Sequence, residues 1–79
     1  MPATPHPDLA FAGLHDELLL EAAITLRSAL EEIEEARGRQ VDGEVATRRH
    51  AAIELTAATL EILQRAELAA VGVHESTRH

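Results

Sequence analysis

Apolar residues recur along most of this chain at intervals of three and four. From Leu14 to Arg37 the series Leu19, Ala23, Leu26, Leu30 and Ile33 alternates by four and three, the spacing of a heptad seam. Placing successive residues about 100° apart sets Leu18, Ala22 and Ala29 beside that seam, with Glu17, Glu21, Ser28, Glu31, Glu32 and Glu35 on the other side. The pattern predicts an amphipathic helix whose Leu-rich stripe packs inward.

Arg37-Gly38 then supplies a cation for the negative helix end and a residue free to turn left-handed, which predicts a stop. Asp42 is placed to cap the next helix, and Glu44 adds favourable charge in its first turn. The second helix is predicted to run from about Gly43 to Val71, ending before Gly72. Its inward face reads Val45, Ala52, Leu55, Thr56, Thr59, Leu63, Ala66 and Ala70. Ile53, Leu60 and Ile62 widen this apolar arc beyond what one partner helix covers.

A connection of about six residues, 38–43, between two long helices predicts an antiparallel hairpin. Ile33 is expected level with Arg48, Leu26 with Leu55, and Leu19 with Ile62. The hairpin thus spans 8–71. Residues 1–7, with prolines at 2, 5 and 7, read as a flexible arm, and 72–79 as a flexible tail. Gly13 marks a possible kink.

Length turns this architecture toward a partner. At 79 residues the chain hides only about 60% of the surface that unfolding exposes. Its apolar content leans on Ala, with Phe11 the one aromatic. Leu20 and Ile24, neighbours one turn apart, together with Ile53, Leu60 and Ile62, are the expected interface with a second copy or another helical protein. The expected fold is all-α, an antiparallel helical hairpin dimerising into a four-helix bundle.

Charge narrows the partners. Fourteen acidic residues against seven basic ones give a net charge of -7, which disfavours nonspecific binding to nucleic acid or an anionic membrane. Every Lys or Arg position is Arg, from which a GC-rich coding sequence and a bacterial source are expected. Arg37, Arg39, Arg48 and Arg49 gather at the turn and make one tip basic, an arrangement suited to an anionic contact. They also lie beside Glu31, Glu32, Glu34 and Glu35, so cross-helix ion pairing is the favoured expectation.

No cysteine is present for disulfide or thiolate chemistry, the N-terminus lacks a signal-peptide pattern, and no apolar run reaches membrane length, so a cytoplasmic protein is expected. No catalytic triad, Gly-rich phosphate loop or Glu-x-x-His pair occurs. No enzyme, metal or cofactor is therefore expected. His50 and Glu54 fall on the polar side of the second helix, and His15 falls on the apolar side of the first.

The function expected from these residues is a small regulatory or interaction module acting through apolar helix faces. Three alternatives follow from single features. The Arg-rich tip suggests a nucleic-acid-binding dimer that resembles the Rop-like plasmid copy-number proteins in architecture alone. The glutamates suggest an acidic DNA-mimic inhibitor of a nucleic-acid enzyme. A carboxylate and histidine bundle binding metal is the third.

Overall fold

A computed structural model describes residues 7–76, with side chains described over 12–72. The first six residues of the arm and the last three of the tail lie outside the described residues. Two helices account for nearly everything between: α1, Pro7–Ala36, and α2, Gly43–Ser76. They pack against each other as a hairpin. Pro7 is tolerated because the first turn of a helix leaves its amide unpaired anyway. α1 continues through Gly13, and α2 passes Gly72 and ends at Ser76, later than the sequence suggests. One glycine within a long helix costs about 1 kcal/mol against Ala, too little to end it where neighbouring turns are favourable.

Local chemistry fixes the turn. The Arg37 amide donates to the Ile33 carbonyl at 2.9 Å, closing the last turn of α1, and Gly38 then takes φ 77°, the left-handed conformation that releases the chain. Asp42 begins α2: its Oδ1 accepts from the Val45 amide at 2.9 Å, while its carbonyl accepts from the Ala46 amide at 3.0 Å. Arg39 closes the loop by donating from Nη2 to Glu44 Oε2 at 2.9 Å and from Nη1 to Oε1 at 3.3 Å.

The face that α1 turns to α2 differs from the one its Leu pattern predicts. Buried on α1 are Leu18, Ala22 and Ala29, with Thr25, Glu32 and Ala36 half-buried between and beyond them. On α2 the buried set is Val45, Ala52, Thr59, Ile62, Ala66 and Ala69, with Arg48 and Leu55 half-buried between them. Both sets alternate by three and four, so each is a heptad seam, displaced on α1 by one residue from the Leu19–Ile33 stripe. One residue is about 100° of helix rotation.

The expected levels along the hairpin are nonetheless close to those observed. Glu32 and Arg48 meet across the seam, and Leu18 and Ile62 share one buried cluster with Ala22, Ala66 and Ala69. α1 is rotated about its axis relative to the sequence reading. It is hardly shifted along it.

Side-chain size gives the reason for the rotation. Ala22, Ala29 and Ala36 recur every seven residues on α1, and Val45, Ala52, Thr59 and Ala66 do so on α2. Small side chains at the contact let two helix backbones approach closely, a geometry that a Leu-on-Leu seam prevents. Thr59 is the one polar residue buried among the described residues, and its hydroxyl donates to the Leu55 carbonyl at 2.8 Å. Thr25 and Thr56 bond back to Glu21 and Ala52 in the same way, so these hydroxyls sit in the helices without an unsatisfied donor.

Candidate functional site: an apolar side of the hairpin

Rotation of α1 leaves the Leu-rich stripe in solvent. Leu19, Leu26, Leu30 and Ile33 are each between 41% and 52% exposed, and Ile53, Leu60 and Leu63 on α2 between 41% and 59%. In every case these residues lie one position C-terminal to a seam residue, or seven residues from one that does. In an antiparallel pair, a step of one residue from the seam turns both helices toward the same side of the layer. The two stripes therefore form one continuous apolar side.

A groove of about 850 Å³ runs down that side near the turn, with Ile33 on one wall and Ile53, Thr56 and Leu60 on the other. Val45 and Ala52 of the seam line it too. A second groove, about 450 Å³, continues along α1 past Leu30, Leu26 and Ala23. Nothing large is completely buried within the hairpin among the described residues. The bulk of its Leu and Ile volume faces outward.

A step of one residue in the other direction reaches Glu17, Glu21, Glu31 and Glu35 on α1 and Glu54 and Glu61 on α2. The layer is thus two-sided, apolar on one surface and predominantly acidic on the other, where Ile24, Leu68 and Arg65 are the exceptions. Those glutamates belong to water at no cost, whereas the apolar side keeps against water residues whose full burial is worth about 1.5 to 3 kcal/mol each.

The structure distributes the sequence-predicted interface residues differently. Ile53 and Leu60 stand on the groove wall. Ile62 is buried inside the hairpin at 6% exposure and is taken up by the intrachain core. Leu20 and Ile24 are exposed, but each lies about 200° around α1 from a seam residue two positions earlier, away from the groove. Leu19, Leu26, Leu30 and Ile33, read from sequence as the hairpin's own seam, are the residues that make the groove side. The signal for them was present as a heptad; what it lacked was the direction in which that heptad points.

The four arginines of the tip also separate. Arg39 is held by Glu44, and Arg48 donates from Nη1 to Glu32 Oε2 at 3.3 Å. Glu32, placed by sequence on the solvated side, sits half-buried at the seam edge because of the rotation of α1. Arg37 and Arg49 line the groove instead, one from each helix. Neither makes an ion pair among the described residues.

The Arg39 guanidinium hydrogen-bonded to Glu44 holds the Glu44 carboxyl below the usual glutamate range, and Arg39 is raised by the same bond. His50 lies 3.2 Å from Glu54 on the exposed outside of α2, and His15 is half-buried. Among the described residues no group of three or more His, Asp or Glu side chains is placed to share a metal ion. No described helix is long and apolar enough to cross a membrane.

No protein family, curated protein or solved structure matches this chain.

Proposed function

We propose that this chain is a helical interaction module of a regulatory kind, whose working surface is the apolar side of the hairpin and whose first partner is a second copy, giving a four-helix bundle. One arrangement supports this reading: the hairpin closes on a seam rich in Ala, with Leu18 and Ile62 its large buried side chains among the described residues, while most of its large aliphatic residues lie outward, several of them along a groove. A monomer stabilised by its own core would place that volume inward, since aliphatic burial is the main favourable contribution in so small a fold. Stacking two such sides buries the stripes in one step and leaves the acidic surfaces in water. Regulation then follows from competition, because another amphipathic helix entering the same groove would displace the second copy.

Sedimentation equilibrium across micromolar concentrations tests this. The expected species is a dimer, converted toward monomer by Leu30→Asp, which places a charge in the middle of the stripe, and unchanged by Leu20→Asp on the outer side of α1. A cooperatively melting monomer would exclude the proposal.

The acidic surface favours a second reading, an inhibitor that imitates the phosphate spacing of DNA. Charge reversal at Glu31 and Glu35 would then abolish binding to a basic DNA-handling protein while leaving self-association intact. The Arg-tip reading draws less support, since two of its four cations are already held by glutamates.

A further inference from the structure

From the charges that share the apolar side, we infer that the second copy sits with its turn at the opposite end, so that the hairpins stack head to tail about a twofold axis crossing the helices. This rests on the self-association proposed above and adds its direction.

Two ways of stacking the apolar sides keep neighbouring helices antiparallel. Either both turns lie at one end, and α1 lies over the partner's α2, or the turns lie at opposite ends, and each helix lies over its own copy. The apolar residues are indifferent to the choice. The charged residues within the stripes are not. Arg37 continues the row of Ala23 and Leu30, and Arg49 continues that of Thr56 and Leu63, each seven residues away, so both cations close the turn end of the face. Both line the groove there. At the other end Asp16 begins the row of Ala23, Leu30 and Arg37, and Glu67 continues that of Ile53 and Leu60.

With both turns at one end, Arg37 comes level with the second copy's Arg49. Four guanidinium groups then crowd one end and four carboxylates the other. With the turns opposed, each end receives the Arg pair of one copy and the two carboxylates of the other. At an interface like-charge juxtaposition is a strong discriminator between alternative dockings. Arg27, which lines the second groove, lies near the middle of the face and leaves the sign at each end unchanged, positive at the turn and negative at the open end. There is also room: the hairpin presents an outline of 61 × 25 Å, wider than the roughly 800 Å² that each partner gives to a standard interface.

The absence of cysteine makes the test direct. A spin label is attached to Gln40→Cys, in the turn and away from the groove, and the label-to-label distance is measured by pulsed electron resonance on the full chain. Opposed turns place the labels about 40 Å apart, and turns at one end about 20 Å or less, from helix rise and packing distance. A dimer with the short distance would overturn the direction while leaving self-association standing. A monomer at every concentration would overturn both. Charge variants add an independent readout. Arg37→Glu with Arg49→Glu is expected to weaken the dimer roughly tenfold or more, and Glu67→Arg on the same chain to restore it. Unchanged affinity in the first variant counts against the inference.

Discussion

Arg48 reaches across the seam and donates from Nη1 to Glu32 Oε2 at 3.3 Å, the one ion pair among the described residues that joins α1 to α2. Both side chains keep some water contact, at 35% and 27% exposure. A pair in that setting couples by less than about 1 kcal/mol and weakens with salt. A double-mutant cycle with Arg48→Met and Glu32→Gln, read by urea unfolding, is expected to return a coupling of that size at low ionic strength and less at high. A coupling several times larger would mean that the pair is shielded from water in solution.

Ala29, 1% exposed, is the most deeply buried residue of the seam among the described residues. Ala29→Leu forces four-carbon bulk between two closely approaching backbones and is expected to lower stability by about 1 to 3 kcal/mol. Thr59→Val keeps the shape and removes a hydroxyl bonded only within its own helix, so its cost is expected to stay under about 1 kcal/mol. Equal losses from both substitutions in thermal melts would contradict a seam defined by closeness.

Asp42 caps α2 through the Val45 amide. Asp42→Ala leaves that amide without its partner and is expected to cost about 0.5 to 2 kcal/mol, while Asp42→Asn retains most of the effect. Circular dichroism melts of the two variants side by side measure the difference.

Glu44 carries a pH signature. Its carboxyl is held below the ordinary glutamate value by Arg39, so it contributes stability that is full above the unfolded-state pKa. That contribution is lost as pH falls through the lower folded-state value. Carbon-detected nuclear magnetic resonance titration is expected to show the Glu44 midpoint rising toward the ordinary range in Arg39→Gln. An unmoved midpoint would mean that the bidentate contact is not populated in solution.

Association and packing are separable by concentration. The loss of stability in Leu30→Ala is expected to shrink as protein concentration falls, because Leu30 is exposed on the hairpin alone and would gain burial only in the proposed dimer. The loss in Ala29→Leu contains a part that persists at every concentration.

The stretch around the turn was legible residue by residue. Arg37-Gly38 ends α1, and Asp42 opens α2, because each acts on backbone groups within four positions of itself. The levels at which the two helices pass each other were equally readable, since a short loop between long rods leaves few registers. Ile62 shows where reading stopped: its spacing fits the broad arc, but whether it faces α1 or a second copy depends on how α1 is turned.

The amino-acid sequence by itself determined two helices, their caps, the turn and the presence of two adjacent heptad stripes on α1, because all of these follow from near-neighbour chemistry. Only the tertiary structure decided which stripe closes the hairpin. The Ala-rich and Leu-rich stripes have the same periodicity and differ by one residue, and periodicity weighs volume rather than distance. Close approach of two backbones favours the smaller side chains, a condition that exists only when both helices are present, and it is this that leaves the Leu and Ile side of the molecule outward.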